Sequence, residues 1–268
     1  MPLTSLQRLV VESLRPFRSS NNYVGGGAAL NQRWPRLSDD MDIFVDQRKH
    51  LPQGPYAELD ALRRAGFSVD VTTRDEWMVE AIVKQYGEET RVQWIDDSES
   101  SRRFFPAVDD EQLGFRLHQA DAAVNKALCA ARRERAPRDA VDLVSIVRRY
   151  APLGPLVWAL AGKDPNLTPP KAISSIRRIA FGYADEEIRA VRMEEGAALT
   201  REELRGILDP ALEAAADYCD DVAPAAHVGC LFVDAGDRPV EATATSLANG
   251  SNRAITINDF GSVPKVRA

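Results

Sequence analysis

Cysteine and histidine are scarce, at three residues each in a chain of 268. Cys129, Cys219 and Cys230 are scattered and show no C-x-x-C spacing. That excludes a thiolate metal site and fits a reducing compartment better than a disulfide framework. None of His50, His118 and His227 pairs with a carboxylate at zinc-ligand spacing, so a zinc centre is not expected. No apolar run approaches the length that crosses a membrane. The first seventeen residues carry charges inside their apolar stretch and have no small-residue cleavage site. They read as an amphipathic helix and not as a signal peptide, and a cytoplasmic location with no membrane partner is expected. Positive charge is in deficit, with 34 Lys and Arg against 40 Asp and Glu and a net charge of −6. A protein that coats nucleic acid indiscriminately is thereby excluded, although a local basic patch on an acidic body is not. Aromatics make up only 7% of residues.

What is present is an ordinary globular composition, 44% hydrophobic and 28% charged, with enough chain for one large domain or two small ones. Helical spacing of Leu6, Leu9, Val10 and Leu14 opens the sequence. Tyr23–Val24 then reads as a short strand before Gly25-Gly26-Gly27 and a helix from Ala28 to Arg33. Met41 to Val45 predicts a strand, Tyr56 to Ala65 a helix, Phe67 to Thr72 a strand, Met78 to Tyr86 a helix and Thr90 to Ile95 a strand. An edge strand is expected at Leu113 to Leu117. From Ala120 the pattern turns helical, over 120–134, 138–150, 169–180, 184–194 and 200–219, with breaks at Pro137, Pro152, Pro155, Pro169-Pro170 and Pro210. Late in the chain CLFV and PVEA flank turn residues 234–237 and suggest a hairpin. The expected fold class is α+β, with a mixed core over 1–118 and a mainly helical domain over 119–268.

The segment Tyr23 to Asp46, YVGGGAALNQRWPRLSDDMDIFVD, carries the chemistry. Glycines between a strand and a helix let backbone N–H groups approach an anion, and the helix start adds its positive end. Ten residues after Gly27, Ser38-Asp39-Asp40-Met41-Asp42 runs into the apolar Ile43-Phe44-Val45. Alternation on a strand places Asp40 and Asp42 on one face, about 7 Å apart, with Asp39 pointing away. Two carboxylates so placed can bracket Mg²⁺ or Mn²⁺ while the cation also binds triphosphate oxygens. That is the requirement for nucleotidyl transfer, in which metal neutralises the α-phosphate and the pyrophosphate leaving group. A third carboxylate is usual on a neighbouring strand, and Asp70 and Asp96 are the candidates. Asp96 is preferred because acids at strand ends are more exposed.

The pattern G-G-x-A-L followed by R-x-S-x-D-x-D and an apolar strand resembles the AbiEii family of nucleotidyltransferases, toxins of abortive-infection toxin–antitoxin systems related to the MenT toxins. It is carried by Gly26, Gly27, Ala29, Leu30, Arg36, Ser38, Asp40 and Asp42. A second block follows in Asp121 to Leu143, where Lys126 precedes an R-D-x-x-D-L segment of Arg138, Asp139, Asp142 and Leu143. The resemblance spans roughly residues 5–150. The chain departs from the pattern at Ala28, where a hydroxyl residue is usual, and at Gly25, where Lys is common. The resemblance implies a polymerase-β-like nucleotidyltransferase core, an NTP substrate, an RNA or tRNA acceptor and a cognate antitoxin partner. It implies a catalytic set of Asp40, Asp42, Lys126 and Asp142, to which the strand-end reading adds Asp96, with Gly26, Gly27, Arg36, Ser38, Lys126 and Asp139 on the nucleotide. A small-molecule or protein hydroxyl as acceptor, or an inactive nucleotide-binding relative, is the alternative.

Read on its own, Lys126 lies on an apolar helix face beside Ala122, Ala123, Ala127 and Ala130. It serves either as a point charge for phosphate or as a snorkelling lysine. Asp139 and Asp142, three apart, share a helix face, and Asp139 also suits the dipole of a helix opened by Pro137. Arg132, Arg133, Arg135, Arg138, Arg148 and Arg149 concentrate positive charge, as a solvated face or as an RNA-phosphate surface. Trp94, Phe104 and Phe105 are either base-stacking residues or core.

Overall fold

The computed structural model describes residues 3–32, 34–46, 54–97 and 102–259. The expected end of the second helix at Arg33 lies outside them. The chain divides into two compact units, the first built from Met1–Gln119 and the second from Ala120–Asn258.

The first unit opens with α1 (Ser5–Leu14), which Thr4 and Gln7 start through a reciprocal capping box. Its apolar stripe buries Leu6, Val10, Val11 and Leu14, while Leu9 stays 40% exposed. Strands β1 (Asn22–Val24), β2 (Asp40–Val45), β3 (Ser68–Arg74), β4 (Met78–Gln85), β5 (Glu88–Asp96), β6 (Arg102–Arg103), β7 (Val108–Asp110) and β8 (Gly114–Arg116) follow, with α2 (Gly26–Leu30) and α3 (Gly54–Arg64) between them. All but β6 form one mixed sheet in the order β3-β4-β5-β2-β1-β8-β7. The pairs β2·β5 and β1·β8 are parallel and the others antiparallel. Val79, Ala81, Val83, Met41, Ile43, Val45, Val92 and Trp94 project from one face into a single core with α1 and with Leu59 and Leu62 of α3. The opposite face of β2 carries Asp40 and Asp42.

Two expectations change here. The segment 78–86 is a strand and not a helix. Its Met, Glu, Ala, Lys and Gln favour helix, yet burial alternates strictly along β4, so the period-2 pattern of Val79, Ala81 and Val83 prevails. Tyr86 and Gly87, both at positive φ, close a two-residue hairpin turn into β5. The strand at 114–116 lies between β1 and β7, and β7 takes the sheet edge.

The second unit is mainly helical. It contains α4 (Gln119–Arg132), α5 (Pro137–Arg149), α6 (Leu153–Lys163), α7 (Pro169–Ala180), α8 (Asp185–Arg189), α9 (Arg201–Asp217) and α10 (Ala244–Ala248). Helix α9 packs against α5, α6 and α7, and its stripe Leu204, Leu208, Leu212 and Ala215 is buried at helical spacing. Helix α6 was hidden from pattern reading by Pro152 and Pro155. Pro152 is its N-cap and Pro155 sits in its first turn, where proline costs no intrahelical bond. The late hairpin is corrected as well. The buried strand β9 (Leu231–Val233) pairs with β10 (Arg253–Ile255), whereas PVEA meets it through one isolated bridge, Val233 to Pro239. Pro239 has no N–H to extend a ladder.

Candidate active site

The glycine turn and the acid pair meet in the first unit. Gly26 adopts φ +56°, a left-handed conformation that glycine takes without strain. A Cβ built there would lie 1.9 Å from Asp42 Oδ2. One on Gly27 would lie 2.0 Å from Arg36 Nη2 and 3.2 Å from Ser38 Oγ. The absence of side chains at these positions is therefore what lets the turn close on the carboxylate and the guanidinium. Gly25 N donates to Asp42 O at 2.8 Å, which ties the turn to β2. A Cβ on Gly25 would fall 2.2 Å from the Phe44 ring, a physical reason for glycine where a lysine is common in the resembled pattern. The first-turn amides of α2 have no preceding helical carbonyl to bond.

Along β2 burial alternates, with Met41, Ile43 and Val45 buried and Asp40, Asp42 and Phe44 half-buried. The two acids therefore share a face, and Asp39 precedes the strand in an exposed position. Arg36 and Ser38, the approach to β2, are buried at 2% and 0% exposure. Arg36 Nη1 donates to Leu37 O at 2.9 Å and Ser38 Oγ to Asp40 O at 2.7 Å, so this segment is internally braced.

In register, Asp40 lies opposite Arg91 and Asp42 opposite Gln93, while Asp96 lies opposite Val45. Asp96 thus belongs to the face of Met41, Ile43 and Val45, and the structure does not bring it to the side of the acid pair. Asp70 pairs with Ile82, which pairs with Arg91. It shares the face of Asp40 but stands three strands away, roughly 14 Å. Sequence reading missed the true neighbours. Arg91 and Gln93 flank the acids, Gln93 Nε2 donates to Glu80 Oε2 at 2.7 Å, and Arg91 Nε lies 3.7 Å from the same carboxylate. Only strand register could have revealed them. Trp94 and Phe104 are core residues, at 0% and 1% exposure, and Phe105 stacks on His118 with centroids 4.2 Å apart.

Among the described residues no group of three or more His, Cys, Asp or Glu forms a metal cluster. The donor set is two carboxylates next to the first-turn amides of α2. That suits a hard cation that keeps waters and takes further oxygens from a phosphate substrate, as Mg²⁺ does.

The second resembled block is an ion cluster within the second unit. Lys126 Nζ lies 2.8 Å from Asp139 Oδ1 and 2.9 Å from Asp142 Oδ2. The lysine is 8% exposed and both acids 0%. One turn of α5 separates the carboxylates, and both converge on the ammonium from α4. Burial, reinforced by Asp139, pushes the neighbouring Cys129 thiol up, so that cysteine stays protonated. The arginines do not form one patch. Arg132, Arg133, Arg135 and Arg138 surround the α4–α5 turn, whereas Arg148 and Arg149 sit at the far end of α5, roughly 16 Å along the helix. Arg132 pairs with Asp164.

No family model matches the chain, and no curated protein does. Solved structures do. A provisionally described nucleotidyltransferase from H. pylori aligns at TM-score 0.51 and 17% identity, covering 80% of this chain and 93% of that one. JHP933 from Helicobacter pylori aligns at 0.52 and 17%, covering 80% and 90%. MenT4, a nucleotidyltransferase toxin from Mycobacterium tuberculosis, aligns at 0.43 and 16%, covering 78% of each chain. At these identities the likeness to the two Helicobacter structures is one of fold, and it holds over most of both chains: this protein is an α+β chain built on the same plan as they are.

Proposed function

We propose that the chain is a metal-dependent nucleotidyltransferase, which moves a nucleoside monophosphate from an NTP to an acceptor hydroxyl. The observation that carries this reading is the contact of Asp42 with Gly26. A half-buried carboxylate of β2 meets a side-chain-free turn, so a cation on the acids and a phosphate on the amides would be neighbours. Asp40 and Asp42 hold Mg²⁺ or Mn²⁺, which when bound supplies charge neutralisation at the α-phosphate and the leaving pyrophosphate. Gly26 and Gly27 offer amides to the phosphates, and Arg36 and Ser38 fix the approach to the acids. The acceptor oxygen forms a bond to the α-phosphorus, the α–β phosphoanhydride bond breaks with its electron pair leaving on pyrophosphate, and the hydroxyl proton passes to water.

Lys126 is the cation we assign to the triphosphate, with Asp139 and Asp142 holding its ammonium. The acceptor we assign is RNA, a tRNA end in particular, and the biological role that of a toxin restrained by a cognate antitoxin in the cytoplasm. These assignments rest on the resemblance of the two motif blocks. The test is incubation of the wild type and of Asp40→Ala/Asp42→Ala with labelled NTPs and total RNA. Label on RNA that the double variant cannot transfer is expected. Label that appears only on a small alcohol or a protein hydroxyl would replace the RNA acceptor. Nucleotide binding without any release of pyrophosphate, for which Ala28 is the motivating departure, would make the chain a binding protein and sink the enzyme reading.

A further inference from the structure

Gln7 is 1% exposed and its side chain makes three hydrogen bonds. Oε1 accepts from Thr4 N at 2.9 Å, and Nε2 donates to Ser38 O at 3.0 Å and to Thr90 Oγ1 at 3.1 Å. The amide orientation is fixed by its partners, since a backbone N–H can only donate and a carbonyl can only accept. The first bond closes the capping box of α1, a task that glutamate performs equally well. The other two need an amide, and both lead to the acid pair. Ser38 is the buried residue two before Asp40, and its hydroxyl donates to Asp40 O at 2.7 Å. Thr90 immediately precedes Arg91, the register partner of Asp40. One buried side chain therefore ties the entrance of β2 to the start of β5 and both to the first turn of α1.

We propose that Gln7 is a positioning residue for the cation site: it fixes the chain entering β2 so that Asp40 and Asp42 keep the spacing a divalent ion requires. The proposal rests on the reading that this pair holds the ion. Replacing the amide leaves the buried Ser38 carbonyl without its donor, and the strand entrance loses the clamp that sets the first of the two acids. Groups that orient metal-binding side chains typically govern affinity by about 10–100-fold.

The experiment uses the full chain and Mn²⁺ alone as probe, without nucleotide, reading free Mn²⁺ by its electron paramagnetic resonance signal. Wild type, Asp40→Asn, Gln7→Glu, Gln7→Met and Thr90→Val are compared, each with its thermal unfolding midpoint. Gln7→Glu retains the cap on α1 and loses the donor to Ser38. Gln7→Met fills the same space without introducing a buried charge. Both are expected to weaken Mn²⁺ binding by roughly 10-fold, while Thr90→Val, which leaves the Ser38 bond in place, shifts it less than about threefold at a similar loss of unfolding temperature. A merely structural role would make affinity follow the unfolding midpoint across all three. The proposal is overturned if the Gln7 variants bind Mn²⁺ as the wild type does, or if both fail to fold. Wild-type binding that Asp40→Asn leaves unchanged would instead remove the cation-site reading itself, and this inference with it.

Discussion

Two pairs of aspartates, one in each unit, meet cations on opposite terms. Asp40 and Asp42 alternate with core residues along a strand and stay half-buried beside the α2 turn. Asp139 and Asp142 stand one helical turn apart, wholly buried, with the ammonium of Lys126 between them. Burying a carboxylate costs several kcal/mol unless a charge is supplied at once, so the second pair is built around a cation of its own chain. The first pair keeps part of its hydration and has a turn without side chains beside it. In the function proposed above, it takes a cation from outside. Equal residue types thus separate into a pair whose loss should cost activity alone and a pair whose loss should cost stability, together with the triphosphate contact proposed for Lys126.

The largest effect that tests this contrast is on turnover. Asp42→Asn should lower nucleotidyl transfer by at least roughly 10³-fold, the scale of a metal's several kcal/mol of transition-state stabilisation, while urea unfolding stays close to wild type. A variant as active as the wild type would break the comparison on its functional side. On the structural side, Lys126→Met should destabilise the fold by about 3–5 kcal/mol, because two buried carboxylates lose their counter-charge. Replacing all three members with apolar residues of similar volume should recover most of that stability, as buried ion clusters commonly allow. A Lys126→Met protein of unchanged stability would show that the cluster is not what holds the second unit together. Gly26→Ala comes next. Its left-handed backbone would be strained by about 1–2 kcal/mol and its Cβ would press on the Asp42 carboxylate. We expect a loss of roughly 10²-fold in rate, the cost of an ångström's misplacement. Retained activity with a displaced Asp42 would show that the turn does not set the geometry.

The legibility of these features in the sequence follows from the range of the contacts that make them. The glycine turn and the alternation of β2 are local, and the segment from Gly25 to Val45 declares both. The face of Asp96 is not local. It depends on how β5 registers against a strand some fifty residues earlier, and a slip of one residue exchanges faces. Exposure at a strand end favours Asp96 over Asp70 in the sequence, whereas Val45 opposite it puts Asp96 on the core face. Gln7 shows the same limit: T-x-x-Q marks a helix start, whereas the bonds to Ser38 and Thr90 span 31 and 83 residues. Helix α6 and strand β4 failed for another reason. Proline content and helix-forming side chains mislead as composition because their positions decide, a first turn in one case and an alternating core face in the other.

The last prediction concerns a third acid of the first unit, Asp46, which follows β2 directly. Its carboxylate accepts from Arg103 Nη2 at 2.6 Å, and the single proton of the Tyr23 phenol is shared between Asp46 Oδ1 at 3.1 Å and Asp97 Oδ2 at 3.0 Å. Burial is the dominant influence and raises the acid's pKa to about 6, Arg103 opposing and Asp97 adding to the rise. A folded-state pKa above the unfolded value means the native protein holds the proton more tightly. The favourable contribution of this group is therefore complete below about pH 4 and is lost as pH climbs through 6. Asp46→Asn cannot ionise, so its stability relative to wild type should rise between pH 4 and 8, on the order of 2 kcal/mol. Paired urea titrations across that range measure the difference directly. A difference that does not vary with pH, or that falls as pH rises, would mean that the Arg103 guanidinium outweighs burial. Asp46 would then resemble the cation-matched acids of the second unit and not the half-hydrated pair four residues upstream.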